Sequence, residues 1–91
     1  MKSRTTKRFR DAFTRLPSEI KKRARDAYEL FQHDPGHPSL RFKRLHGTEQ
    51  EIYSARITRD YRAVGVRDED TIIWFWIGSH ADYERLLSKL S

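Results

Sequence analysis

Between residues 33 and 39 the chain reads His33-Asp34-Pro35-Gly36-His37-Pro38-Ser39, and the apolar residues on its two sides follow different periods. Upstream, Phe9, Ala12, Phe13 and Leu16 recur at helical spacing, with Thr5 or Thr6 available as the N-cap. Pro17 suits the end of one helix and the first position of the next, where a missing N–H costs nothing. Ile20, Ala24, Ala27, Tyr28 and Phe31 then line one face of a second helix, so the N-terminal third is expected to be a helical hairpin. Downstream the period becomes two. Strands are expected at Leu40 to Leu45, Glu51 to Ile57, Tyr61 to Arg67 and Thr71 to Ile77, joined by short turns.

The last of these, Thr71-Ile72-Ile73-Trp74-Phe75-Trp76-Ile77, is apolar on both faces and belongs inside the sheet rather than at its edge. Gly78 ends it. Ser79 with Asp82 three residues on resembles a capping box, the serine being worth about 1 kcal/mol, and a closing helix runs to about Leu90. Met1 to Thr6 shows no alternating apolar pattern, so no strand is expected there. The expected architecture is α+β: a helical hairpin, an antiparallel twisted sheet of about four strands and a short C-terminal helix. Its unpaired edge, Leu40 to Leu45 or another strand, would lie open to a partner.

With 91 residues there is room for one domain, spanning 1–91, with a modest core. The absence of cysteine rules out disulfides and cysteine-based zinc sites and suits a reducing cytoplasm. No apolar stretch approaches the length of a membrane span. Lys2, Arg4, Lys7, Arg8 and Arg10 occur without an acid among them, which resembles a transit peptide in composition but lacks a secretory apolar core. The net charge of +6 favours acidic partners such as nucleic acid, an acidic protein or an anionic membrane. Lys21, Lys22, Arg23 and Arg25 fall mostly off the apolar face of the second helix and form a solvated basic face able to attract RNA over distance. His33, His37, His46 and His80 are too scattered for a metal site, and no cofactor motif is present.

The most informative local feature is the hairpin from Tyr53 to Val64. If Thr58, Arg59 and Asp60 form a three-residue turn, Ile57 pairs with Tyr61 and Arg56 lies opposite Arg62. Tyr53, Ala55, Ile57, Tyr61 and Ala63 then share a face suited to packing on helices, while Ser54, Arg56, Arg62 and Val64 share the other. Two opposed arginines repel by about 1 kcal/mol at 4 Å even in water, and an anion between them removes that cost. Guanidinium groups match phosphate oxygens bidentately, so the pair reads either as a phosphate clamp or as surface arginines paired with Glu49, Glu51 or Asp68.

The helical hairpin with Leu16-Pro17 at its bend, the loop Asp34-Pro35-Gly36-His37-Pro38, the run Arg56-Ile57-Thr58-Arg59-Asp60-Tyr61-Arg62, and the aromatic strand followed by His80 to Tyr83 together resemble the RelE/ParE toxins. The resemblance covers about residues 6–90. It implies a type II toxin that cleaves mRNA in the ribosomal decoding site by attack of the substrate 2′-hydroxyl on the adjacent phosphate, with no metal. It implies roles for Arg56 and Arg62 on the phosphate, for His80 as general acid, and for Tyr83 in orienting or stacking on RNA. Such an acid is worth about 10²- to 10⁴-fold. RelE-like members carry a second lysine where this chain has Ser54, and YoeB-like members use an upstream glutamate, for which Glu51 or Glu49 could serve, Glu51 being preferred. Arg59, Lys21, Lys22 and Arg25 are the expected RNA-binding residues. The implied protein partner is an antitoxin that wraps the toxin and covers its active face.

Other assignments stand beside these. His80 can simply occupy the first helical turn, and Tyr83 falls in register with Leu86, Leu87 and Leu90, which is core spacing. The rival functions are a ParE-like inhibitor of DNA gyrase, which needs no acid, and a degenerate homologue that only binds its antitoxin.

Overall fold

The computed structural model describes residues 1–45 and 49–90. Its elements in chain order are β1 (Lys2–Thr5), α1 (Lys7–Thr14), α2 (Ser18–His33), a 3₁₀ turn (Pro38–Leu40), β2 (Lys43–Arg44), β3 (Ile52–Thr58), β4 (Tyr61–Asp68), β5 (Thr71–Ser79) and α3 (His80–Leu90). They form an α+β fold around a five-stranded sheet of order β1-β5-β4-β3-β2, in which β1 runs parallel to β5 and the other pairs are antiparallel.

Strand β1 corrects the expectation of four strands and of an N-terminus without one. Its hydrogen bonds come from the backbone: Lys2 N–H donates to the Asp70 carbonyl at 2.8 Å and Thr6 N–H to that of Trp74 at 3.0 Å. Lys2 and Arg4 are exposed on this edge, and charged side chains suit an edge strand. The inward contact is polar, since Ser3 Oγ accepts the Trp74 indole N–H at 2.9 Å. An apolar pattern is therefore unnecessary.

The expected strand Leu40 to Leu45 shrinks to Lys43–Arg44. Pro38–Leu40 closes a 3₁₀ turn, and Arg41 adopts a left-handed φ of 44°, so extended backbone resumes only after it. Leu40 and Leu45 are both buried at either end of this short segment. Helix α1 is capped by Thr6, whose side chain accepts from Phe9 N–H at 3.1 Å, and Pro17 sits one position before the first residue of α2, at its N-cap. The two helices lean on the sheet, α1 against β5 and α2 against β3. Between them is a largely apolar cleft of about 630 Å³ bordered by Phe9, Phe13, Tyr28, Phe31 and Trp74.

The sheet separates two cores. Phe9, Ala24, Phe31, Leu40, Ala55, Ala63, Ile72, Trp74 and Ile77 pack on the α1/α2 side. On the other side Leu45, Ile52, Val64 and Tyr83 pack with Phe75, Trp76 and the leucines of α3. Strand β5 feeds both cores, with a break in simple alternation. Val64 pairs with Trp76 and Gly65 with Trp74, so Phe75 is an extra residue, a bulge. Trp74 and Trp76, two positions apart, consequently face opposite sides of the sheet. Gly65 is required there: a Cβ would stand 2.8 Å from Ile72 Cγ2, 2.9 Å from Trp74 Cε3 and 3.1 Å from the Ile73 carbonyl oxygen. No helix among the described residues is long and apolar enough to cross a membrane.

Gly65→Ala is expected to destabilise the fold by about 1–3 kcal/mol through overpacking at this bulge. Urea denaturation followed by circular dichroism measures it.

Candidate active site

The β3–β4 hairpin sets the site. Arg56 pairs with Arg62, as periodicity suggests, but the turn differs from the expected one. Thr58 rather than Ile57 pairs with Tyr61, the register shifts between Arg56 and Thr58, and only Arg59 and Asp60 form the turn. Asp60 N–H donates to Thr58 Oγ1 at 3.2 Å within it. The bulge at Ile57 restores the opposition that a three-residue turn would also give. Tyr53, Ala55, Ile57 and Ala63 pack on the α1/α2 side, leaving Ser54, Arg62 and Val64 facing α3.

The next strand brings α3 to the same end of the sheet. Tyr61 pairs with Ser79 and Arg62 with Gly78, and His80 N–H donates to the Asp60 carbonyl at 2.6 Å. Ser79 Oγ accepts from Asp82 N–H at 3.3 Å, which starts α3 at this point. One turn into the helix, the Tyr83 ring lies 5.4 Å from the Arg62 guanidinium carbon and 5.9 Å from the His80 ring. His80 Nε2 is 3.3 Å from Glu84 Oε1, an exposed contact on one helix face.

Arg62 has a feature that packing does not explain. Its Nε is buried and has no hydrogen-bond partner among the described residues, and the same holds for Ser54 Oγ on the adjacent strand. Both belong to the α3 side of the hairpin, diagonal to one another in the β3–β4 register. Neither Arg56 nor Arg62 forms an ion pair among the described residues. A buried unpaired donor costs about 1–3 kcal/mol, more than the roughly 0.5–1 kcal/mol that a guanidinium gains over an aromatic face at a partly exposed site. Among the described residues the donor therefore has no acceptor. An anion at this place would satisfy the Nε–H.

The other sequence-derived candidates fall in different places. Arg59 is exposed in the turn beside this cluster. Arg56 borders the clefts beside α2 as well as facing Arg62 in register. Glu51 immediately precedes β3 and gives its carbonyl to Arg67 N–H at 2.8 Å. It lies five positions from Arg56, on the order of 16 Å along an extended chain, so the fold does not bring it to Arg62. Glu49 lies further upstream still. The carboxylate that does arrive is Glu84, which sequence reasoning passed over although its spacing of four from His80 on a helix is a readable signal. Lys21, Lys22 and Arg25 belong to α2, across the sheet from Arg62, and the Arg25 guanidinium carbon sits 5.3 Å from the Phe13 ring centre. His33 and His37 lie near the end of α2 and before the 3₁₀ turn, and His46 lies outside the described residues. Among the described residues no three His, Asp or Glu side chains gather in a way that could hold a metal ion.

Known structures share this small α+β fold. The RelB–RelE antitoxin–toxin complex from Methanococcus jannaschii matches with a TM-score of 0.73 at 21% identity over 91% of this chain and 96% of that one. The archaeal RelE–RelB complex from Pyrococcus horikoshii matches at 0.69 and 20%, covering 86% and 92%. The YoeB/ParE toxin from Agrobacterium tumefaciens matches at 0.67 and 19%, covering 88% and 99%. No curated protein matches the sequence. The sequence model of the ParE-like toxin domain matches residues 18–85, and the chain belongs to that family, within the RelE/ParE superfamily of toxins.

Arg62→Met is expected to raise the stability of the ligand-free protein by about 1 kcal/mol, because it removes the orphaned donor and keeps the packing. Inorganic phosphate should raise the melting temperature of the wild type and leave that of the variant unchanged, as thermal unfolding with and without phosphate will record.

Proposed function

We propose that the protein is the toxin of a type II toxin–antitoxin pair and acts in the cytoplasm as a ribosome-dependent mRNA endonuclease. The observation that carries this reading is the buried, unpartnered Nε of Arg62 beneath Tyr83, with His80 against the same ring. A clamp for phosphate alone would serve any nucleic-acid binder. A histidine beside it adds proton transfer.

In this reading Arg62 and Arg56 hold the oxygens of the scissile phosphate and stabilise the charge that builds there as the neighbouring 2′-oxygen attacks. The 2′-hydroxyl loses its proton to water as its oxygen bonds to phosphorus, and the bond to the 5′-oxygen breaks, leaving a 2′,3′-cyclic phosphate on one fragment. His80 gives its proton to the departing 5′-oxygen. Glu84 holds the His80 ring from the next helical turn, and Tyr83 fixes the distance between the ring and Arg62. Glu51, at the far end of the hairpin, stands outside this cluster. Arg59 in the turn and the basic face of α2 add attraction for the RNA backbone from two sides. The antitoxin partner is supported by the fold shared with toxins solved together with RelB.

Toeprinting on translating ribosomes tests the reading. Cleavage within the decoding site is expected from the wild type, a loss of about 10²-fold or more from Arg62→Ala, and a loss of similar order from His80→Ala. Intact mRNA alongside inhibited gyrase supercoiling would move the protein to the gyrase-inhibitor class. Intact mRNA with unimpaired supercoiling would leave antitoxin binding as its activity.

A further inference from the structure

Gly78 stands directly opposite Arg62 in the β4–β5 register, and its missing side chain is put to use. A Cβ at Gly78 would lie 2.8 Å from Trp76 Cζ2 and 3.0 Å from Cη2. The indole is therefore folded along β5 over the position that faces Arg62, where opposed residues stand about 5 Å apart. Trp76 lies 6.3 Å from the Tyr83 ring, so Arg62, Tyr83, His80 and Trp76 form one cluster.

The two aromatic rings on this face differ in availability. Tyr83 is 4% exposed and is wedged among Arg62, His80 and Trp76, which leaves no ring face for a nucleobase. Trp76 is partly exposed. Trp74 is buried in the other core with its N–H given to Ser3, so it takes no part here. Bases stack on aromatic side chains with little regard to sequence, and indole offers the largest such surface.

We infer that Trp76, rather than Tyr83, is the platform on which a nucleobase flanking the phosphate held by Arg62 stacks. This rests on the RNA reading above. Tyr83 then serves as the rigid wall that keeps Arg62 and His80 in place, and Gly78 is the gap that lets the indole lie flat.

The experiment uses a four-nucleotide RNA made uncleavable by a 2′-deoxyribose at the attacking position, together with two versions carrying an abasic site on either side of that linkage. Binding of the intact oligonucleotide should quench the intrinsic fluorescence of the wild type. One abasic version should bind about tenfold more weakly. Trp76→Phe should keep most of the affinity, whereas Trp76→Leu should lose about tenfold and show no further loss with the abasic version. Equal affinity of the wild type for the intact and both abasic oligonucleotides overturns the stacking role without need of a variant, as does an abasic penalty that persists in Trp76→Leu. In either case the RNA reading stands. Failure of the wild type to bind any of the three also overturns the stacking role, while toeprinting on ribosomes decides the RNA reading separately.

Discussion

The bulge at Phe75 organises both sides of this molecule. Strand β5 lies between β1 and β4 and is apolar along almost its whole length, so it must feed a core on each face. With strict alternation Trp74 and Trp76 would crowd one side of the sheet. The extra residue opposite Val64 and Gly65 sends Trp74 to the α1/α2 core and Trp76 to the α3 core, and only a glycine at position 65 leaves room for it. From there the chain has a short path to Gly78, Ser79 and the first turn of α3. That turn delivers His80 and Tyr83 to Arg62.

Stability and function pull in different directions at Arg62. The tyrosine face and the neighbouring strands hold the guanidinium where its Nε cannot reach water, and no carbonyl or carboxylate among the described residues compensates. A fold selected for stability alone would fill this position with an apolar side chain. In the proposed nuclease reading the unpaired donor pre-organises an anion site, because no side chain would have to be ordered on phosphate binding. The surplus of basic residues, with Arg85–Asp82 the only arginine or lysine ion pair among the described residues, adds a long-range pull on polyanions without fixing geometry.

Much of this was legible from residues alone. The change of period at the Pro-Gly loop gave the helices and the main strands, and alternation within the hairpin put Arg56 opposite Arg62. The spacing of Tyr83 with Leu86, Leu87 and Leu90 marked it as a core residue, which its burial matches. Three features escaped for physical reasons. Strand β1 is held by backbone bonds and one serine, so it carries no apolar signature. The bulges at Ile57 and Phe75 each add a residue without changing composition, and a period-two reading cannot register them. Glu51 suited a catalytic role by residue type, yet its distance along β3 excludes it from the cluster, whereas the helical spacing of Glu84 from His80 was present in the sequence.

Among the described residues the Arg62 Nε–H has no acceptor, and in the proposed reading a phosphate supplies it. Nitrogen-15 NMR of the arginine Nε–H groups, recorded while an uncleavable RNA oligonucleotide is titrated in, observes that bond directly. The Arg62 signal is expected to move downfield and become protected from hydrogen exchange as the site fills. An Arg62 signal that keeps its position and exchange rate at saturation would contradict it.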